Sequence, residues 1–166
     1  MGLFDFFKKK EELPPVTVSD DDIVAVADGE LIDIATVSDP MFAEQMLGTS
    51  CAFRFDQDKV TICSPANGKI SNMFHTGHAF GVLTADGTDL LIHIGVNTVE
   101  SKGKGFEILG KKEGDQVKAG DPIIRVDLKE LRKTYDMSTM VIVTDSEREF
   151  TFAQPQKVTR GQSVLA

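Results

Sequence analysis

Short segments rich in Val, Ile and Phe follow one another from about residue 16, and turn-forming residues separate them. Short apolar segments bounded by Gly, Asn and Asp are typical of β-strands, whose side chains alternate between two faces. The pattern predicts strands over residues 23–26, 31–34, 51–55, 60–63, 79–83, 90–94, 123–126 and 140–143.

Helical periodicity is confined to two short segments. Residues 40–47 and 127–134 each place apolar side chains three or four positions apart, and both predict a short helix. Because strands do not alternate with long helices, a parallel α/β fold is excluded. The chain is therefore predicted to be all-β, an antiparallel sandwich or barrel with one or two short helices.

Three dipeptides with turn chemistry lie between predicted strands: Asp28-Gly29, Asn67-Gly68 and Asp86-Gly87. Each predicts a hairpin-type turn, because glycine adopts positive φ easily and Asn or Asp tolerates it.

An internal similarity accompanies these turns. Residues 26–31 (VADGEL) resemble residues 65–70 (PANGKI), and the turn-rich stretch 114–121 has a weaker similarity to 159–162. These pairs suggest a duplicated β-motif closed on itself. The alternative is that such turns recur in any β protein.

Composition and charge argue against some classes of function. The chain has 166 residues, with 18 Lys and Arg against 26 Asp and Glu, which gives a formal charge of −8. This charge argues against nucleic-acid binding, which needs a basic surface, and favours basic protein partners. Cys51 and Cys63 form neither a disulfide framework nor a CxxC pattern, so both are expected as reduced thiols in the core.

The first 15 residues, MGLFDFFKKKEELPP, differ from the rest of the chain in their composition, with an apolar cluster followed by a basic run. Three phenylalanines precede three lysines, which suits peripheral contact with an anionic membrane. A flexible, disordered tail is the alternative. The two prolines that end the segment mark the boundary of a folded domain over residues 16–166. No secretory signal and no apolar run of membrane-spanning length is visible, so the protein is expected in the cytoplasm.

Two histidines lie in apolar strand pattern. His93 interrupts a predicted strand, where alternation places it on one face with Leu91 and Gly95. His78 opens another strand, and the same alternation points it the same way as Phe80. Two histidines on two strands that face one apolar surface can meet across a sheet.

Three uses fit such a pair. A neutral imidazole nitrogen can accept a phosphoryl group while a second histidine donates a hydrogen bond to the transferring oxygens. Alternatively, His75, His78 and His93 could together bind zinc, or they could be structural side chains. The signatures HExxH, GxSxG and the phosphate-binding P-loop are absent from the sequence. The residues by themselves leave the three uses open.

More specific motifs surround the two histidines. Residues 76–80 read TGHAF, residues 91–100 read LIHIGVNTVE, and residues 102–106 read KGKGF. Further matching stretches are 27–30, 37–48, 64–68 and 113–121. With these motifs the chain resembles the glucose-type IIA domain of the bacterial sugar phosphotransferase system over most of its predicted folded part. The initial MGLFD also resembles the membrane-touching tail of stand-alone members.

The resemblance implies a phosphoryl carrier with an antiparallel β-sandwich fold related to the barrel-sandwich hybrids. It makes His93 the phosphoryl acceptor through Nε2, His78 the residue that supports the phosphoryl group, and Thr76 the residue that orients the pair. Members receive phosphate from the histidine phosphocarrier protein and pass it to a cysteine of a IIB domain during sugar uptake. No cofactor or metal is required, although His78 and His93 could bind zinc at a partner interface.

The resemblance also implies docking surfaces, because members often bind regulatory target proteins as well as their transfer partners. Phosphoryl transfer between proteins requires that water be excluded, so an apolar rim around the histidines is expected. The candidate rim residues are Phe42, Met46, Leu47, Phe74 and Phe80. One departure lies close to the site: Asn97 stands where many members have Asp.

Three other classes of protein are alternatives to a phosphoryl carrier. The stretch 114–121 is reminiscent of lipoyl or biotinyl carrier domains, although no lysine stands at a tight hairpin tip in the expected context. A metal-dependent hydrolase and a purely regulatory binding protein are the remaining alternatives.

Overall fold

The computed structural model of the chain describes residues 13–166. The predicted membrane-contacting tail lies almost entirely outside the described residues, so that contact stays a prediction. None of the helices in the described part is long and apolar enough to cross a membrane.

Eleven strands and two short helices are present in this part of the chain. The strands are β1 (Gly29–Ile32), β2 (Thr49–Arg54), β3 (Lys59–Cys63), β4 (Gly68–Met73), β5 (Ala79–Leu83), β6 (Asp89–Ile94), β7 (Phe106–Ile108), β8 (Gln116–Val117), β9 (Pro122–Asp127), β10 (Thr139–Asp145) and β11 (Gln156–Val158). The helices are α1 (Pro40–Ala43) and α2 (Leu128–Leu131), and two 3-10 turns cover Ile34–Thr36 and Thr98–Ser101.

The strands form two antiparallel sheets that enclose one main core. Eight strands make the larger sheet in the order β11-β1-β2-β10-β6-β5-β4-β8, and three make the smaller sheet in the order β3-β9-β7. Buried side chains of both sheets, such as Ile92 and Ile124, belong to the same apolar cluster. The predicted antiparallel β-sandwich with short helices is therefore confirmed.

Strand β6 shows how alternation divides the chain between two environments. Leu90, Ile92 and Ile94 are fully buried in the main core, whereas Leu91 and His93 turn to the opposite face of the large sheet. Full burial of a side chain of this size contributes about 1.5–3 kcal/mol to folding. The inner face of β6 thus stabilises the sandwich, and its outer face is available for chemistry.

A second, smaller apolar cluster, which we call the outer cluster, packs on this outer face. Its buried members are Val37, Phe42, Ala52, Val96, Met140 and Ile142. The strand register sets His93 directly opposite Met140 on β10 and opposite Ala79 on β5. His93 therefore lies beside the outer cluster and not in the main core.

The internal sequence similarity corresponds to a structural duplication. Ala25 exchanges two backbone hydrogen bonds, of 2.8 and 3.0 Å, with the turn 159–162, and Ser64 exchanges two of 2.9 Å with the turn 118–121. The strand order agrees, because the half β11-β1-β2-β10 is mirrored by the half β8-β4-β5-β6. The predicted duplicated motif is confirmed, and β6 and β10 meet at its centre.

Two of the three predicted hairpin turns are wrong. Asp86-Gly87 does join β5 to β6, with a φ of 88° at Gly87. Gly29 and Gly68 instead begin β1 and β4 without a positive φ. Glycine is needed there for space, since a Cβ on Gly68 would lie 2.3 Å from the backbone oxygen of Leu83.

The strand prediction also differs from the structure at the periphery. Residues 23–26 form only an isolated bridge between Val24 and Ser163, not a strand. Strands β4, β7, β8 and β11 were not predicted, because they are very short or carry polar residues on both faces. Their pairing depends on neighbouring strands and not on a local apolar pattern.

Both predicted helices exist but are shorter than expected. Helix α1 ends at Ala43 and does not continue to residue 47, because Gln45 takes a left-handed φ of 54°. Helix α2 occupies the first half of its predicted segment, where the Asp127 carboxylate caps it by accepting from the Glu130 N–H at 3.2 Å.

Close approach at the start of β4 generates a stability prediction. We expect Gly68→Ala to lower the free energy of unfolding by about 1–3 kcal/mol, because the added methyl meets backbone that cannot move aside. Urea denaturation measures the loss. The control is Ala85→Ser in the neighbouring exposed turn, which should change stability by less than about 0.5 kcal/mol. A Gly68→Ala variant as stable as the wild type would contradict the close approach between Gly68 and Leu83.

Candidate functional site

His93 lies near the end of β6 with its ring half-buried. Its Nδ1 is 2.7 Å from the backbone oxygen of Gly95. A carbonyl oxygen can only accept, so Nδ1 must carry the proton in this hydrogen bond. In the neutral ring, Nε2 then holds the free lone pair. The backbone of the next turn thus selects which nitrogen of His93 can react.

The Gly95 carbonyl can take this position only because residue 95 is glycine. Its φ is 78°, and a Cβ there would lie 2.5 Å from the Thr98 methyl and 2.9 Å from the Met137 sulfur. The Thr98 hydroxyl donates to the Ile94 oxygen at 2.5 Å, which draws the turn back towards β6. The sequence indicated that Gly95 leaves room near His93, but not that its carbonyl would hold the ring.

His78 meets His93 from the neighbouring strand. The two ring centroids are 5.3 Å apart, and the ring planes are inclined at 80°. The backbone supports this approach, since the Ile94 N–H donates to the His78 oxygen at 2.8 Å. The predicted meeting of the two histidines is therefore present in the structure.

The predicted direction of His78 is wrong in one respect. Alternation placed His78 on the same face as Phe80, but Phe80 is fully buried in the main core. Strand β5 begins only at Ala79, and Ala79 pairs with His93 on the outer side. The two-residue period does not extend past the strand end, so the His78 ring turns outward to His93.

Thr76 holds the His78 ring from the other side. Its Oγ1 lies 2.6 Å from His78 Nδ1, so Thr76 bonds one member of the pair as the resemblance implies. Gly77 has a φ of 76°, and a Cβ on it would stand 3.0 Å from Phe106. Gly103 packs against the Thr76 backbone. The KGKGF stretch therefore supports the turn that carries Thr76 and His78.

Both histidines are held in the neutral form at neutral pH. Burial, together with the positive charges that His93 and His75 carry when protonated, lowers the pKa of His78 to about 4. Burial also lowers the pKa of His93, although its bond to Gly95 and the nearby Asp39 carboxylate act in the opposite direction. A neutral His93 keeps the lone pair that a nucleophile requires.

Aromatic side chains flank the pair on both sides. The Phe42 ring lies 4.9 Å from the His93 ring, and the Phe74 ring lies 5.3 Å from the His78 ring in an edge-on contact. Phe42 itself is buried, so it forms a wall beneath His93, whereas Phe74 is exposed.

The other rim candidates divide between surface and core. Met46 and Leu47 are exposed, Met46 by 70%, on the segment that follows α1. Phe80 is 0% exposed in the main core, which corrects its placement in the rim because no partner can reach it. Val99, which the sequence analysis missed, is 53% exposed in the turn that follows the His93 loop.

The structure also places the other groups that the sequence singled out. Asn97 is exposed with a φ of 62°, and its side chain makes no capping hydrogen bond. Cys51 and Cys63 are buried thiols, and burial raises the pKa of Cys51. Over residues 13–166, no three His, Cys, Asp or Glu side chains assemble into a metal site.

A surface cavity of about 650 Å³ also lies elsewhere, between the ends of β4 and β8. Lys69, Leu83 and Lys118 are among its lining residues, and neither histidine of the pair is. The paired histidines stand at an apolar surface and not in this cavity.

Comparison with known proteins connects this geometry to a family. The family model for the phosphoenolpyruvate-dependent sugar phosphotransferase system, EIIA 1, matches residues 21–149, which include both histidines. The chain belongs to this EIIA family. It is therefore a component of the sugar phosphotransferase system, and the resemblance stated from the sequence is confirmed.

Individual relatives agree with the EIIA assignment. A glucose-specific EIIA component of Staphylococcus epidermidis is 36% identical over 144 residues, covering 85% of each chain. That of Bacillus cereus is 39% identical over 142 residues, covering 85% of this chain and 84% of the relative. The solved structure of glucose permease IIA from Mycoplasma capricolum superposes with a TM-score of 0.79 at 32% identity, covering 87% and 93% of the two chains.

Some relatives of this EIIA chain are longer. A glucose-specific EIICBA component of Streptococcus pneumoniae is 37% identical over 128 residues, which are 76% of this chain and 17% of that protein. The same domain thus occurs both by itself and within a larger phosphotransferase-system polypeptide.

The low pKa of His78 generates a prediction about acid stability. Its pKa is about 4 in the fold, below the ordinary value of 6.5, so between these values the unfolded chain binds more protons. The free energy of unfolding should therefore fall as the pH drops from about 6.5 to about 4. Denaturation across this range measures the slope, and His78→Gln should flatten it. An unchanged slope in the variant would contradict the assignment.

The different positions of two phenylalanines generate a second prediction. Phe80→Ala should lower the free energy of unfolding by about 3–5 kcal/mol, because it leaves a cavity in the main core. Phe74→Ala is the matched control, and its exposed ring should cost far less stability. Thermal denaturation compares the variants, and similar losses would contradict the placement of Phe80.

Proposed function

We propose that this EIIA chain carries a phosphoryl group on Nε2 of His93, accepting it from the histidine phosphocarrier protein and passing it to a cysteine of a IIB domain. One observation carries the proposal: the hydrogen bond from His93 Nδ1 to the Gly95 carbonyl, which leaves Nε2 unprotonated. The lowered pKa of His93 adds to it, because the ring is a neutral nucleophile at cellular pH.

The transfer step balances without a cofactor. A bond forms between His93 Nε2 and phosphorus as the phosphorus–nitrogen bond of the donor breaks, and the proton on Nδ1 stays on the ring. The Gly95 carbonyl then accepts a stronger hydrogen bond, because the phosphorylated ring carries positive charge. In the second step a thiolate of the IIB domain takes the phosphoryl group and His93 returns to its neutral form.

We assign His78 the role of stabilising the phosphoryl oxygens. If the Thr76 hydroxyl donates to His78 Nδ1 across 2.6 Å, the neutral His78 ring carries its proton on Nε2. With the ring centroids 5.3 Å apart, that proton lies within reach of a phosphoryl group on His93. A single oriented donor of this kind contributes about 2–4 kcal/mol to a transition state that accumulates negative charge.

The partners follow from the surface and from the relatives. Exposed Phe74, Met46 and Val99 offer apolar contacts that would exclude water when a partner docks. The formal charge of −8 suits a basic donor protein. Fusion of the same domain in EIICBA relatives favours a IIB domain as the receiver, and their names favour a glucose permease.

Mass spectrometry of the intact protein tests the acceptor. After incubation with phosphoenolpyruvate, enzyme I and the phosphocarrier protein, we expect a gain of about 80 Da that is lost in mild acid, as for phosphohistidine. His93→Ala should show no gain, because the nucleophile is absent. His75→Ala is the matched control and should be labelled normally. Normal labelling of His93→Ala would overturn the assignment.

The same assay separates the role of His78 from that of His93. His78→Gln should still accept the phosphoryl group on His93, but its transfer to a IIB domain should slow by about 10²–10³-fold, the effect of removing one oriented donor. Full sugar-phosphorylation activity in this variant would remove His78 from the mechanism.

A further inference from the structure

We propose that Asp136 is a positioning residue for His93: its carboxylate holds the two segments that enclose the ring and thereby sets which ring nitrogen is free. The expected effect of Asp136 on the rate of phosphoryl acceptance rests on the proposed function, whereas its expected effect on the His93 tautomer does not. Asp136 lies in the loop before β10, remote in sequence from both histidines.

The Asp136 carboxylate shapes the segment 136–138. Asp136 Oδ1 accepts a hydrogen bond from the Ser138 N–H at 2.9 Å and another from the Ser138 hydroxyl at 2.7 Å. A carboxylate that accepts from the N–H two residues later closes a turn and fixes the direction of the backbone carbonyls within it. The side chain is half-buried, so solvent competes weakly for these bonds.

Backbone hydrogen bonds join this turn to the loop beneath His93. The Gly95 N–H donates to the backbone oxygen of Ser138 at 3.0 Å, and the Val96 N–H donates to the backbone oxygen of Asp136 at 2.8 Å. Both amide groups that flank the Gly95 carbonyl are therefore held by the turn. The carbonyl is left pointing at His93 Nδ1, where it accepts at 2.7 Å.

The other oxygen of the same carboxylate binds a different segment of the chain. Asp136 Oδ2 accepts from the Ser38 N–H at 3.2 Å. Ser38 precedes Asp39, whose carboxylate caps α1 by accepting from the Met41 N–H at 2.9 Å. Helix α1 carries Phe42, the ring that lies 4.9 Å from His93. One carboxylate thus connects the loop below Nδ1 with the wall against the ring face.

The carboxylate is suited to this role because it is ionised. Burial raises the pKa of Asp136, but the hydrogen bonds from Ser138 and Ser38 outweigh burial and hold the pKa below its ordinary value. An ionised carboxylate only accepts, so both oxygens remain available to N–H and O–H donors. An amide at this position would place N–H₂ against one of those donors.

Nitrogen-15 NMR of the imidazole rings tests the structural consequence directly. Wild-type His93 should show a single tautomer protonated at Nδ1 at a pH above the pKa values of the histidines. Asp136→Ala should show a mixture of the two tautomers, and phosphoryl acceptance should fall by about tenfold, the effect of losing one oriented hydrogen bond. Asp136→Asn, which keeps the acceptor for Ser138 and loses the one for Ser38, should retain the tautomer and accept at an intermediate rate.

Asp121→Ala provides the matched control. Asp121 is a half-buried aspartate that accepts from the Lys118 N–H at 2.8 Å in a turn away from the histidines. It should lose stability without a change in the His93 tautomer or in acceptance rate. Wild-type tautomer and rate in both Asp136 variants would overturn the proposal, as would an equal tautomer change in Asp121→Ala. A wild-type chain that accepts no phosphoryl group would overturn the proposed function and leave the tautomer result standing.

Discussion

The hydrogen bond between His93 Nδ1 and the Gly95 carbonyl is the contact on which the site depends. An imidazole ring has two nitrogens, and without a fixed partner its proton exchanges between them. At 2.7 Å the carbonyl binds that proton and leaves Nε2 as the free base. The positive φ of Gly95, the return bond from Thr98 and the turn around Asp136 all serve to place this one carbonyl oxygen.

The sandwich separates the requirements of stability and of chemistry. Alternation along β6 sends Ile92 and Ile94 into the main core and leaves His93 on the outer face, so a polar ring is placed without disturbing the core. The outer cluster with Phe42 still removes water from one side of that ring. Burial lowers the pKa of both His78 and His93 and keeps them neutral.

Much of this arrangement could be predicted, and the failures have identifiable causes. The apolar strands, the duplication and the pairing of two histidines follow from local patterns that the structure retains. The direction of the His78 side chain could not be predicted in this way, because the two-residue period holds only within β5, which begins at Ala79. Phe80 was placed in the rim because an aromatic residue beside a site residue looks the same in the sequence whether it faces inward or outward.

By itself, the sequence determined the fold class, the family and the chemistry-bearing residue types, because apolar periodicity and short motifs are local properties of the chain. Only the tertiary structure supplied the contact that holds the proton of His93 on Nδ1. The Gly95 carbonyl is directed by amide bonds to residues 136–138, and Gly68 is required by the backbone of Leu83. Such contacts join segments far apart in sequence, so their geometry exists only once the sheets have packed.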